Sequence, residues 1–324
     1  MIKPKILIDL FGCDNPDAMI EGLSKAINEI DGVSLVAVGD KGYIEERLKD
    51  LNFDRTRLEI LDAKEIITNE DAPVVAVREK KQSSLVVSYN ALKNRQDLQV
   101  MITAGNTGAV IAGAILVLGR ESREDRPFLA TFLPNDKGGI TCLADCGANV
   151  DCRSEHLMTF ANYAVEYMSK VYRVENPKVG LLSVGTEDKK GNTVTKETFV
   201  MLKDSRLNFV GNVEAKTVLS GDCDVVVADG FNGNVLLKSI EGTAKSVVNR
   251  MLTLLKKHSN GQDMNFVKKA FGELMQTLDF NSLGGAMLLG VKKPIIKAHG
   301  SANSDTVVNT VKQALNIINS GFNR

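Results

Sequence analysis

Val100-Met101-Ile102-Thr103-Ala104-Gly105-Asn106-Thr107-Gly108-Ala109, running on through Val110 to Leu118, decides how this 324-residue chain folds. Residues 100–103 form a short apolar run of strand length, and residues 109–118 form a longer, Ala-rich run of helix length. Between them stand four small or polar residues, Gly105-Asn106-Thr107-Gly108. A strand, a small-residue turn and a helix start leave N–H groups without helical partners at the positive end of the helix dipole. Small side chains let an anion approach that backbone. The stretch predicts an α/β unit with an anion such as phosphate at its turn.

The alternation extends outward in both directions. Residues 6–10 read as a strand, 17–30 as a helix, 34–38 as a strand, 41–51 as a helix and 58–61 as a short strand. Residues 74–94 read as helical with a break near Gln82-Ser83. Residues 128–133 and 140–145 read as strands around the turn Asn135-Asp136-Lys137-Gly138-Gly139. A long helix over 154–172 has Ser154 as its expected N-cap and Glu155 in its first turn. A strand (178–184), a helix (193–203), a strand (208–210), a short helix (213–219) and a strand (223–228) follow. A helical hairpin then spans about residues 234–279, broken at His258-Ser259-Asn260-Gly261. A strand (293–297) and a helix (305–319) close the chain. This pattern predicts a three-layer α/β/α fold with a mostly parallel sheet, as one domain over residues 1–324. In such sheets ligands bind beyond the carboxyl ends of the strands.

Composition narrows the function classes. Forty basic and forty acidic residues cancel, which argues against a sequence-independent nucleic-acid binder. Tryptophan is absent and aromatics are 5%, so base-stacking platforms lack residues. No apolar run reaches the ~18 residues of a membrane span. The N-terminus enters a strand directly without signal-peptide architecture, so a cytoplasmic location is expected. Cys13, Cys142, Cys146, Cys152 and Cys223 are expected as reduced thiols. Their spacing, and that of the three histidines, fits no zinc site, so no metal or cofactor is expected. Of the cysteines, only Cys13 sits in a segment read as functional.

Four segments after predicted strands are dense in Gly, Asn, Asp and Thr. They are residues 103–108, 145–151, 184–192 and 229–234; a fifth, Lys297-Ala298-His299-Gly300-Ser301, follows the last strand. In a parallel sheet all five would lie along one edge, and that convergence predicts an active site. Any one of them alone reads equally well as a turn. The Gly105 segment lacks the Gly-Lys-Ser/Thr ending of a P-loop, and no Gly-x-Gly-x-x-Gly follows the first strand. His299 stands in a loop beside a Gly-Ser turn and is the titratable site candidate. His156 reads as a surface or capping residue, and His258 as solvated. Asp145 and Asp151 form a pair of acids that either binds a cation or, the favoured reading, holds loop backbone through the carboxylates. Lys189 and Lys190 are either a solvated charge run or place one lysine, Lys190, against a phosphate.

At these residues the chain resembles the bacterial acyl-ACP:phosphate acyltransferase family of phospholipid synthesis, where ACP is acyl carrier protein. The resemblance runs nearly end to end through Ala104-Gly105-Asn106-Thr107-Gly108-Ala109, residues 145–151, residues 184–192, Gly211-Asn212-Val213-Glu214, Asp229-Gly230-Phe231-Asn232-Gly233-Asn234 and residues 297–301. It implies a fold like that of isocitrate and isopropylmalate dehydrogenases and phosphotransacetylases, a homodimer, and a protruding helical hairpin. It implies conversion of acyl-ACP and inorganic phosphate to acyl phosphate and ACP. On that reading Gly105, Asn106, Thr107 and Gly108 cradle phosphate with Lys190 assisting. His299 and Ser301 orient phosphate or donate to the oxyanion. Asn149, Asp229, Asn232 and Asn234 shape the site, and Asp9, Gly12, Asp14 and Glu187 contribute to substrate binding. The resemblance also implies peripheral contact with the inner face of the membrane, or with a downstream acyltransferase. In this chain the hairpin turn, Ser259-Asn260-Gly261-Gln262-Asp263, is polar.

One loop departs from the family pattern. The family's first strand ends in Asp-Ala-Met-Gly-Gly-Asp, a variable residue and Ala-Pro. This chain has Asp9-Leu10-Phe11-Gly12-Cys13-Asp14-Asn15-Pro16, one residue shorter. The added bulk of Phe11 and Cys13 is expected either to narrow the acyl or pantetheine channel or to mark a divergent branch. The alternatives are a short-chain acyl-CoA phosphotransacylase or reductase-complex subunit, and a non-catalytic phosphate- or acyl-phosphate-binding protein.

Overall fold

The alternating apolar strands and amphipathic helices assemble as a sheet covered on both faces. The structure, a computed structural model, describes residues 5–123, 125–258, 272 and 284–322. Its elements are β1 (Lys5–Asp9), α1 (Pro16–Glu29), β2 (Leu35–Gly39), α2 (Lys41–Leu48), β3 (Leu58–Asp62), α3 (Pro73–Glu79), α4 (Ser84–Asn94), β4 (Leu98–Thr103) and α5 (Thr107–Gly113). There follow β5 (Phe128–Pro134), β6 (Ile140–Ala144), α6 (Ser154–Lys170), β7 (Lys178–Leu182), α7 (Thr193–Lys203) and β8 (Asn208–Val213). Then come β9 (Val225–Val227), α8 (Gly230–His258), β10 (Ala286–Leu289), β11 (Ile295–Lys297) and α9 (Ser304–Ser320). The second limb of the expected hairpin, apart from residue 272, and residues 259–261 of its turn lie outside the described residues.

Period-two strands buried on both faces explain the layers. Ile6 and Ile8 of β1 belong to the continuous core layer that includes residues of α1, α2, α6, α7 and α9, while Leu7 between them belongs to the layer on the other face with residues of α3, α4, α5 and α8. Helix starts follow side-chain chemistry: Asn15, Asp40, Asn106, Asn192 and Asn303 each accept the N–H three residues on. Two helix starts differ from expectation. Helix α6 begins at Ser154 itself, and His156 Nδ1 accepts the Arg153 N–H at 3.1 Å. Helix α8 begins at Gly230 rather than Asn234, because Asp229 accepts from the Asn232 N–H at 2.8 Å.

Sheet order is β3-β2-β1-β4-β11-β10-β5-β6-β9-β7-β8. Strands β3, β2, β1, β4 and β11 are parallel, as are β6, β9, β7 and β8. Pairings β11–β10, β10–β5 and β5–β6 are antiparallel, so the two parallel blocks run in opposite directions. The expected single carboxyl edge is therefore two edges. The register shows why the loops still meet. Thr103 pairs with Lys297, Lys297 with Ala286, Met287 with Ala130, and Ala130 with Ala144. The last residues of β4, β11 and β6 thus stand at almost one level of the sheet. The blocks are staggered, and their carboxyl ends face each other across β10 and β5.

Candidate active site

A cavity of about 440 Å³ opens where these ends meet. One block contributes Thr107, Lys297, His299 and Gly300; the other contributes Cys146, Gly147 and Asn234. Leu129 and Thr131 of β5, Ala286 of β10, and Leu237, Lys238 and Glu241 of α8 complete much of the wall. The wall is therefore mixed, with cations, an imidazole and hydroxyls beside leucine and alanine. That is the usual makeup of a small-molecule site.

Four of the five Gly- and Asn-rich segments reach this cavity; residues 184–192 do not. Lys190 and Glu187 are both exposed, and the Lys190 N–H donates to Glu187 O at 2.9 Å. Within the Gly105 turn, Asn106 Oδ1 caps α5 by accepting the Ala109 N–H at 2.9 Å, which leaves Thr107 at the wall. Gly108 permits helix packing, since a Cβ there would lie 2.7 Å from Pro73 Cγ. The Gly105 N–H donates to Thr103 Oγ1 at 3.1 Å, and that hydroxyl donates to Asp9 at 2.8 Å. Asp9 thus supports the turn from beneath.

Other predicted residues frame the cavity from behind. Asp145 is a hub: its carboxylate accepts N–H groups of Leu129, Gly147, Ala148 and Asn149, and the Asn149 amide. Asn149 also donates to Pro127 O at 2.9 Å and is buried, so it braces the wall. Asp229 and Asn232 pair with each other at the start of α8. Gly230 and Gly233 let α8 approach the 145–149 segment; a Cβ on Gly233 would lie 1.8 Å from Asp145 O. Gly12 adopts a φ of 80°, and the Asp14 N–H donates to Gly300 O at 3.0 Å, tying the first loop to the His299 segment. His299 Nδ1 lies 2.8 Å from Ser301 Oγ; Ser301 is exposed and lines a neighbouring pocket.

The departure at Phe11 and Cys13 does not narrow this cavity. Neither residue lines it. Phe11 is buried over Gly39, where a Cβ would meet its ring at 2.1 Å, and its ring packs edge-on against Tyr43. Cys13 is half-buried, with its thiol 3.5 Å from Leu10 O. The bulk is absorbed by a gap on the α1–α2 side of the sheet.

Sequence reasoning missed Lys297, Lys238 and Cys146 as wall residues. Lys297 had a signal: it is a lysine ending an apolar strand, at the head of the His299 segment. Burial pushes Lys297 down to about 8. Burial pushes Asp9 up to about 6, against hydrogen bonds from Ser84 and Thr103. Cys146 is buried and its thiol is pushed well up, so it is a poor nucleophile. Lys238 pairs with Glu241 at 2.7 Å. Among the described residues no group of three or more His, Cys, Asp or Glu is placed to hold a metal ion, and no helix is long and apolar enough to cross a membrane.

Known proteins agree with this architecture. A phosphotransacetylase from Streptococcus pyogenes superposes with a TM-score of 0.63 at 15% identity, covering 98% of this chain and 94% of that one. At that identity the likeness is one of fold. Sequence relatives are far nearer. A phosphate acyltransferase of Clostridioides difficile (strain 630) is 43% identical over 96% of this chain and 92% of its own length. One from Bacillus subtilis (strain 168) is 42% identical over 97% and 94%. The family described as "Fatty acid synthesis protein" matches residues 4–324, and with relatives this similar along their whole lengths the chain belongs to that family.

Proposed function

We propose that the protein is a phosphate acyltransferase that converts acyl-ACP and inorganic phosphate to acyl phosphate and ACP, feeding phosphatidic acid and phospholipid synthesis. The observation that carries this reading is the cavity between the two carboxyl edges. Its Lys297, Thr107 and His299 suit an anion, while Leu129, Leu237 and Ala286 suit a thioester arm. The likeness to phosphate acyltransferases of Clostridioides difficile and Bacillus subtilis supports it.

The chemistry asks little of the protein beyond placement. A phosphate oxygen attacks the thioester carbonyl carbon, the C–S bond breaks, and sulfur leaves with the electron pair. A thiol of ordinary pKa ~8.5 is a good leaving group at neutral pH. Phosphate is the nucleophile, so no enzyme thiol or hydroxyl needs to form an intermediate. The residues hold the anion, align it, and donate to the developing oxyanion. His299 is the donor we assign to that oxyanion: the Ser301 N–H donates to its Nδ1 at 3.3 Å, so Nε2 is the ring nitrogen placed to donate. Losing one such donor costs ~2.7–4 kcal/mol of barrier.

The resemblance supports a cytoplasmic homodimer with peripheral contact at the membrane or with a downstream acyltransferase. The competing reading is a short-chain acyl-CoA phosphotransacylase, favoured by the phosphotransacetylase-like fold. Hydroxylamine trapping of acyl phosphate separates the two. Hydroxamate formation from palmitoyl-ACP that requires both enzyme and phosphate, above the direct reaction of the thioester with hydroxylamine, is expected. Such hydroxamate only from acetyl-CoA or butyryl-CoA would replace the acyl-ACP reading with the competing one, and none from any donor would leave a binding protein.

A further inference from the structure

One lysine precedes β11 and another ends it, and they differ in one respect. Lys293, before the strand, donates to Leu92 O, Arg95 O and Leu98 O at 2.6, 2.9 and 2.8 Å. An ammonium has three N–H donors, and all three are used there. Lys297, at the other end, has one hydrogen bond among the described residues, to Ala298 O at 2.5 Å. Among the described residues no carboxylate forms an ion pair with it.

Lys297 is half-buried at the cavity wall. A sequestered charge with donors to spare is costly unless something else completes its shell. The charged or titratable groups that face it are Asp9 from β1, Cys13 and Asp14 from the following loop, and Lys238 from α8. Lys238 is already paired with Glu241, and His299 shares the wall on the same segment. Lys190, the cation expected for phosphate, is not at this wall.

We propose that Lys297 Nζ is the phosphate ligand of this site, binding one or two oxygens of inorganic phosphate with its remaining N–H groups. This rests on the phosphate acyltransferase reading above. The ammonium keeps its proton throughout. Phosphate forms the new C–O bond, the thioester sulfur takes the C–S pair, and the thiolate is protonated by water. Lys297 holds the nucleophile in place and offsets its charge as it approaches the carbonyl.

Burial lowers the Lys297 pKa to about 8, so the free enzyme loses this charge as pH rises past that value. Phosphate capture, read as kcat/KM for phosphate, should therefore fall above about pH 8.

The test uses the full chain. Lys297→Met is expected to raise KM for phosphate by about 10-fold or more, the loss of one charge-assisted hydrogen bond, and to abolish the alkaline limb. KM for acyl-ACP should stay within about twofold, since a binding defect confined to one substrate leaves the other's term unchanged. Lys297→Arg keeps the charge and should move the limb upward. A second measurement needs no variant: reductive methylation of the unmodified protein, read by peptide mass spectrometry, with and without phosphate. Phosphate is expected to protect Lys297 and leave Lys190 exposed to reagent. Equal labelling of Lys297 in both samples, or a folded Met variant with an unchanged KM for phosphate, overturns the proposal. Protection of Lys297 in a protein that turns over no acyl thioester would keep the phosphate site and remove the catalytic reading.

Discussion

Phe11 and Gly39 form a matched pair. The ring occupies the volume that a side chain at residue 39 would need, with 2.1 Å between a Cβ there and the ring. Gly39→Ala should destabilise the protein by about 1–3 kcal/mol through overpacking, measured by urea unfolding. Adding Phe11→Leu should recover part of that loss, since residues in contact are coupled. Asp9 gives a pH prediction. Its folded pKa, about 6, lies above its ordinary 3.8, so the native state binds the proton more tightly. Stability from this group is present at low pH and falls as pH rises from about 4 to about 6. Asp9→Asn should flatten that part of the stability profile; an unchanged slope would reject the assignment. At this scale the sequence was half legible. Residues such as Asn106, Asp229 and Asn149 announce a site by composition, yet their side chains cap helices and brace loops. Capping and ligand binding use the same residue types, and sequence alone does not separate them.

The segment from Asp145 to Asn149 is held by one carboxylate that receives five donors. Asp145→Ala would leave those buried N–H groups without an acceptor and should cost at least ~3 kcal/mol, read by chemical denaturation. Asp145→Asn, which keeps one carbonyl oxygen, should cost less. Long amphipathic elements such as α1, α6 and α9 were readable from period and caps. Strand β10 was not: Ala286–Leu289 has four apolar residues between glycines, without alternation or a turn signature. The start of α8 was misread because Gly230 and Gly233 look like a loop. They are small because the helix meets the backbone of the 145–149 segment.

Across the whole molecule, α/β alternation and helices on both faces follow from the sequence, whereas the reversal between the two parallel blocks does not. It depends on β10 and β5, whose antiparallel pairing is a long-range fact. That reversal, with the stagger, turns two sheet edges into one cleft and leaves residues 184–192 off the cavity wall. The central cleft, and not the lysine-rich loop, is therefore expected to carry turnover. The most direct test is phosphate-dependent thiol release from palmitoyl-ACP, compared between Leu237→Trp, which fills the cavity from α8, and Lys190→Ala. Leu237→Trp should lose at least ~10-fold, because it displaces a substrate from its reacting geometry, and Lys190→Ala should keep near-normal turnover. Normal turnover by Leu237→Trp together with silence from Lys190→Ala would contradict a central catalytic cleft.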